Sequence, residues 1–167
     1  MSKRAVQTLI LLVDNEFGVL TRVTALLRRE GWNIKSLAVA ETINPVVSRL
    51  TISVECLDST LPDVLQRIGR LACVRHISCF SDTNHIIREL ALIILQGPDL
   101  SGARSVASGF GATVEELADG LLVEFAGHAS QVAVLLEALR PYGLRDVARS
   151  GAVTLEHPVK EVRDEKA

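Results

Sequence analysis

The chain has 167 residues, of which 48% are hydrophobic and 23% are charged, and its formal net charge is −2 at pH 7. This composition excludes a disordered chain, and the small negative charge gives no general reason to bind nucleic acid or an anionic membrane surface. The length allows one domain or two small ones. No stretch approaches the ~18 consecutive apolar residues that a membrane span requires, so we expect a cytoplasmic protein. Cys56, Cys73 and Cys79 are expected to be buried small hydrophobes in a reducing compartment.

The first half of the chain follows the order β-α-β-β-α-β. Apolar runs and alternating patterns predict strands at residues 8–13, 33–41, 47–55 and 74–80. Helical spacing of apolar residues predicts a first helix that carries Leu20, Val23 and Leu27, followed by Gly31 at its C-terminus. A second helix is predicted after Thr60, which stands three residues before Asp63 at capping-box spacing.

The second half repeats this order. Strands are predicted at residues 90–95, 112–117, 121–126 and 144–155, with a hairpin at Asp119-Gly120 and a bend near Ser150-Gly151. The fold class is therefore α+β, with two ferredoxin-like βαββαβ domains. The predicted boundaries are a first domain at 1–80, a linker at 81–88, a second domain at 89–157 and a charged, disordered tail at 158–167. Uncovered sheet faces and edge strands in such small domains predict dimerisation.

The side chains that commonly carry catalysis show no convergent pattern. The four histidines are scattered without metal-ligand spacing, at positions His76, His85, His128 and His157. Gly109-Phe110-Gly111 lacks the third glycine of a dinucleotide fingerprint, and neither a Walker loop nor a Gly-x-Ser-x-Gly elbow is present. We therefore expect no catalytic residues and no metal site in this chain.

A small-ligand site is predicted where the first strand meets the first helix. If Asn15 caps that helix and Gly18 lies in its first turn, the free N–H groups there favour a carboxylate. The amide of Asn33 would bind the ligand from the opposite side, which belongs to a second subunit if the sheets pair edge to edge. The residues predicted to line an apolar pocket are Val13, Val19, Leu20, Ile34 and Ala40. A capped helix that binds nothing would show the same pattern, so both interpretations stand on the residues alone.

The sequence resembles the acetolactate synthase (acetohydroxyacid synthase) small subunits, whose N-terminal domain is an ACT domain. The likeness begins with Asn15-Glu16-Phe17-Gly18-Val19 and continues, in order, at residues 31–39, 48–52, 88–92, 139–144 and 147–151. It covers nearly everything except the tail. Phe17 replaces the small residue or proline usual in the family just before the glycine.

The resemblance implies a non-catalytic regulatory subunit in branched-chain amino-acid biosynthesis. Such a subunit activates the catalytic large subunit and makes it sensitive to feedback inhibition, usually by valine bound between two ACT domains of a homodimer. The positions that the resemblance assigns to the effector site are Asn15, Gly18, Val19, Leu20, Asn33, Ile34, Val39 and Ala40. No cofactor is expected on this chain, whereas thiamine diphosphate, Mg and FAD are expected on the catalytic subunit.

Two other functions are weighed against this one. A stand-alone amino-acid-sensing ACT protein that acts on transcription would need a DNA-binding element or a basic stripe, and the sequence contains neither. An enzyme built on a ferredoxin-like fold is compatible with the fold, but the lack of an acid/base or metal set argues against it.

Overall fold

A computed structural model describes residues 4–80 and 85–156, which form two domains of the same plan. The first contains β1 (Arg4–Asp14), α1 (Val19–Arg29), β2 (Asn33–Glu41), β3 (Val47–Leu57), α2 (Leu61–Gly69) and β4 (Val74–Cys79). The second contains β5 (His85–Leu95), α3 (Leu100–Gly109), β6 (Thr113–Leu117), β7 (Gly120–Gly127), α4 (Ala129–Leu139) and β8 (Leu144–Glu156). The predicted pair of βαββαβ units is confirmed.

Each domain has a four-stranded antiparallel sheet, with strand orders β2-β3-β1-β4 and β6-β7-β5-β8. One face of the first sheet packs on α1 and α2 through alternate residues such as Leu9, Leu11, Leu50 and Ile52, all of them almost fully buried. Branched aliphatic side chains suit the pleated surface of a strand and the apolar stripe of a helix, which explains why a chain with so few aromatics forms dense cores. In this arrangement β2 lies at one edge of its sheet.

The predicted element boundaries were least accurate at the junction between the domains. Residues 85–88, assigned to a linker, are the start of β5, where burial alternates strictly from His85 to Leu95. The remaining linker residues, 81–84, and the predicted tail at 158–167 lie outside the described residues. Thr60 does precede α2 as expected, but its hydroxyl donates to the Leu57 carbonyl at 2.8 Å and makes no cap bond to the helix. The capping box predicted there is wrong.

The second domain covers part of the open face of the first sheet. The Thr51 and Thr154 hydroxyl oxygens lie 3.0 Å apart in a buried hydrogen bond between β3 and β8. Gly151, at the predicted bend in β8, has a φ of +73°, and a Cβ there would lie 2.9 Å from the Ser36 Cβ. A side chain at this position would therefore disturb both the backbone and the contact between domains. Ile10, on the same sheet face, is only 1% exposed.

The cysteines match the expectation in two of three cases. Cys56 and Cys73 are buried, whereas Cys79 is half-buried, and all three are free thiols. Burial raises the pKa of the Cys56 and Cys79 thiols, so both stay protonated at neutral pH. Within residues 4–80 and 85–156, the model contains no helix with the length and apolar character needed to cross a membrane.

Candidate functional site

Helix α1 begins without a side-chain cap. Its N-cap residue is Gly18, which has φ +80° and ψ −1°, a left-handed conformation that glycine adopts without steric cost. No side chain accepts a hydrogen bond from the first turn. Because first-turn N–H groups lack carbonyl partners one turn earlier, this end of the helix favours a negative charge.

Asn15 does not cap the helix, so that part of the prediction is wrong. Its amide Nδ2 donates to Glu41 Oε1 at 3.0 Å and to the Pro45 carbonyl at 2.9 Å, while Oδ1 accepts from Ser48 Oγ at 3.1 Å. The Asn15 backbone N–H also bonds the Val46 carbonyl, which turns the residue toward the β2–β3 connection and away from the helix. Both side-chain N–H donors are therefore engaged. Asn15 fixes the loop before α1 against the end of β2.

Arg22 is a site residue that the sequence interpretation missed. Its Nη2 donates to the Phe17 carbonyl at 3.3 Å and lies 4.0 Å from the position that a Cβ on Gly18 would occupy. Among the described residues, no carboxylate lies within ion-pairing distance of Arg22. A cation thus lies beside the uncapped helix start. The i+4 spacing from Gly18 to Arg22 was the available sequence signal.

The apolar residues assigned to the effector pocket do not face one common space. Val19 is only 4% exposed and, like Val13, belongs to the core, and Ile34 is half-buried against that core. Val39 lies opposite Leu50 on the helix-facing side of the sheet, whereas Ala40 lies opposite Arg49 on the other side. A single pocket lined by Val13, Val19 and Ala40 is therefore wrong.

Exposed apolar side chains occur beside the start of α1 and near the end of β2, two segments that the Asn15–Glu41 hydrogen bond joins. Phe17 is fully exposed, and Leu20 and Val39 are 40% and 48% exposed. Large apolar side chains that share an exposed corner are typical of a ligand or subunit interface.

Asn33 lies at the far end of β2 from this corner. It is opposite Glu55 in the register, whereas Glu41, which bonds Asn15, is opposite Ser48. At a rise of about 3.3 Å per residue, these two ends lie about 26 Å apart. One protomer therefore brings together Asn15, Gly18, Leu20 and Val39 but not Asn33.

Two further features bear on the binding of a metal or a second ligand. In the described part of the chain, no three His, Cys, Asp or Glu side chains are grouped to hold a metal ion. A cavity of about 770 Å³ lies between the two domains, and its lining includes Val39 and Ala40. No sequence pattern indicated this cavity, because strands from both halves of the chain form it.

Comparison with known proteins assigns both halves of the chain to one family. Residues 9–76 match the model described as the AHAS small subunit-like ACT domain, and residues 88–158 match the model described as the small subunit of acetolactate synthase. The chain is 39% identical over 153 residues to the acetolactate synthase small subunit of Mycobacterium bovis, covering 89% of this chain and 90% of that protein. It is 34% identical over 160 residues to the Aquifex aeolicus acetolactate synthase small subunit, covering 92% and 83%.

A solved structure has the same two-domain architecture. The crystal structure of the acetolactate synthase small subunit from Thermotoga maritima superposes with a TM-score of 0.81 at 27% identity, covering 92% of this chain and 98% of that one. The first domain is therefore an ACT domain, as the resemblance implied. Since relatives above 30% identity cover at least 89% of the sequence and both halves match its family models, the chain belongs to the acetolactate synthase small-subunit family.

Proposed function

We propose that this chain is the regulatory subunit of an acetolactate synthase. It has no catalytic residues of its own, binds and activates the catalytic large subunit, and makes that subunit sensitive to feedback inhibition by a branched-chain amino acid, with valine as the effector. Thiamine diphosphate, Mg and FAD belong to the catalytic subunit in this scheme. The observation that supports the effector site most directly is the uncapped start of α1. There Gly18 has a left-handed conformation, and Arg22 has no ion-pair partner among the described residues. The strand β2 lies at the edge of the same sheet.

The effector's carboxylate binds at the start of α1. The helix dipole and the first-turn N–H groups favour an anion, and the Arg22 guanidinium adds a charged hydrogen-bond donor beside them. Gly18 leaves room for a ligand close to the backbone, since nothing but the end of Arg22 lies within 4 Å of its missing Cβ. The exposed side chains of Leu20 and Val39 offer apolar contact for an aliphatic side chain. Val19 and Ile34 support the site from inside the core rather than by contact.

A second copy of the chain completes the site. Because β2 is an edge strand, two copies can extend their sheets by pairing β2 with β2 in antiparallel fashion about a twofold axis. In a register centred on Leu37, residue 33 of one copy faces residue 41 of the other. Asn33 then reaches the corner that Asn15 and Glu41 form in its partner. The amide of Asn33 binds the effector from the opposite side, and the exposed corner at Phe17 becomes buried.

Hydrogen bonds of Asn15 connect this corner to the rest of the subunit. Asn15 joins the helix-start loop to Glu41, Pro45 and Ser48, so an effector that orders this loop also orders the end of β2 and the β2–β3 connection. The effect on the catalytic partner is a coupling free energy. Valine must therefore alter the affinity between subunits to the same degree as the catalytic subunit alters valine affinity.

The deciding experiment mixes this chain with the catalytic subunit from the same genome and measures acetolactate formation at several ratios, with and without valine. Activation that saturates with the amount of this chain, and that valine reduces, is the expected result. Failure to activate at any ratio would overturn the assignment. If valine nonetheless bound to the isolated chain, the result would favour the stand-alone amino-acid sensor.

A further inference from the structure

The groove between the two domains has no role in the proposed function. Its floor is the open face of the first sheet, including Leu12 and Ala38, and its opposite wall is formed by Ile86, Val153 and Leu155 of β5 and β8. The volume of about 770 Å³ lies within the range of small-molecule sites. Ile86, Val153 and Leu155 remain substantially exposed. The groove is therefore an apolar surface that water reaches and a ligand could cover.

Each domain contributes one arginine to this apolar groove. Arg49 of β3 is half-buried beside Leu12 and Ala40, which flank it in the sheet, and Arg88 of β5 lies beside Val153. In residues 4–80 and 85–156, neither guanidinium has a carboxylate within ion-pairing distance, and Arg88 Nη1 donates only to the Ile87 carbonyl, at 2.7 Å. Two cations in one apolar groove repel each other, and a bound anion would relieve that repulsion.

The other polar side chains that line the groove indicate which kind of anion would bind there. The groove contains one acidic side chain, Glu41, and its Oε1 already accepts from Asn15. An ammonium group would meet two arginines against the single Glu41 carboxylate, so the net charge of the lining favours an anion over an amine. The cavity is also larger than a valine side chain requires. The matching ligand has one carboxylate and a long apolar body.

We propose that the interdomain groove binds a medium-chain apolar monocarboxylate, with Arg49 and Arg88 both directed to its carboxylate. Most of the site lies on the face of the first sheet away from α1, and it adjoins the proposed valine site at the edge strand, where Val39 and Glu41 line both. The ligand touches both domains and therefore fixes their relative position, supplementing the Thr51–Thr154 hydrogen bond. Binding at this site does not depend on the proposed regulatory function.

The test is titration of the full chain with octanoate, below its micelle concentration, followed by calorimetry. Saturable binding is expected for octanoate and none for octylamine, which has the same chain length and the opposite charge. Arg49→Gln and Arg88→Gln should each weaken octanoate binding about tenfold or more, as loss of a charged hydrogen bond does. Arg70→Gln removes an exposed arginine outside the groove and should leave binding unchanged.

Three results would overturn the proposal. They are equal binding of octanoate and octylamine to the wild-type chain, octanoate binding that both groove variants retain, and no binding at all. The octylamine comparison uses only wild-type protein, so it decides the matter even if a variant fails to fold. Valine inhibition is measured separately and stands or falls independently.

Discussion

The two domains share one topology but differ at the start of the helix that follows their first strand. In the second domain, Asp99 caps α3: its Oδ1 accepts from the Gly102 N–H at 2.8 Å and from Ser101 Oγ at 3.0 Å. In the first domain, the equivalent place is held by Gly18, with no side-chain acceptor. A carboxylate thus already occupies the anion-binding helix start of one domain, and the other is left open.

This difference explains why a repeated fold would have only one effector site of this kind. The second domain satisfies its helix start with the Asp99 side chain. In the first domain no side chain caps α1; the Val19 N–H bonds the Glu16 carbonyl at 3.4 Å, and the exposed Arg22 donates to the Phe17 carbonyl. The helix α4 follows the same trend, since His128 and Gln131 form a capping box. In the first domain, neither α1 nor α2 has a side-chain cap bond.

The largest expected effect comes from giving the first domain the carboxylate that the second has. In Gly18→Asp, the new carboxylate lies beside Arg22 where the effector's own carboxylate belongs, and aspartate tolerates the left-handed backbone better than most residues. We expect complete loss of valine inhibition with activation retained, measured as acetolactate formation in the mixed enzyme. Gly111→Asp is the matched control, because Gly111 has φ +76° and open space around it but lies after α3. Valine inhibition that survives in Gly18→Asp would refute the carboxylate position.

Removing the second-subunit contact should weaken valine binding by about one to two orders of magnitude. Asn33→Ala deletes the proposed amide contact to a charged ligand, a loss of roughly 1.5–3 kcal/mol. Calorimetry with valine measures the affinity of the dimer directly. Gln66→Ala, which removes an exposed amide from α2, should bind valine as the wild type does. Equal affinity in Asn33→Ala and wild type would reject the site between subunits.

Neutralising Arg22 should reduce valine affinity about tenfold, since the helix start itself still favours the carboxylate. Arg22→Gln removes the charge and keeps a hydrogen-bond donor on a shorter polar side chain. Arg28→Gln is the control on the same helix, because Arg28 lies in the last turn and is exposed. The two variants are compared by valine titration at low and high salt. An Arg22→Gln protein whose valine affinity and salt dependence match those of Arg28→Gln would exclude a role for this guanidinium.

The Asp99 cap of α3, which distinguishes the second domain, should contribute about 1 kcal/mol to the free energy of unfolding. Asp99→Ala should lower the free energy of unfolding in urea by that amount and leave valine affinity unchanged. Thr60→Ala provides the contrast, because the Thr60 hydroxyl bonds the Leu57 carbonyl instead of capping α2. A larger loss from Thr60→Ala than from Asp99→Ala would contradict the difference in capping.

The last prediction concerns the junction between the domains. Thr51→Val and Thr154→Val remove the two ends of one buried hydrogen bond, so their effects on unfolding should not add. Each single change should cost about 1–3 kcal/mol because it leaves a buried hydroxyl unpaired, whereas the double variant should cost less than the sum. Additive losses would show that the bond does not couple the domains.

Local pattern predicted most of the fold, because strand and helix periodicities in this chain are regular. Seven of the eight strands began at the predicted residue or within four residues of it. The exception was β5, whose first residues, from His85, were assigned to a linker because Arg88 and Glu89 interrupt the apolar run. Glu89 is buried all the same, since Arg149 of β8 pairs with it at 2.7 Å. That partner is sixty residues away, so periodicity could not identify it.

The candidate site, like the fold, was predicted from the sequence only in part. By itself the sequence determined the two βαββαβ units, the presence of a helix after the first strand and the family, since these depend on local spacing and on motifs. It placed Gly18 in the first turn of that helix, whereas Gly18 is its N-cap. Only the tertiary structure decided that Asn15 bonds Glu41, Pro45 and Ser48 instead of capping α1, that Ala40 faces away from Val39, and that Arg49 and Arg88 meet one groove. The physical reason is that a polar side chain bonds the partner that folding brings nearest, and strands distant in sequence supply that partner.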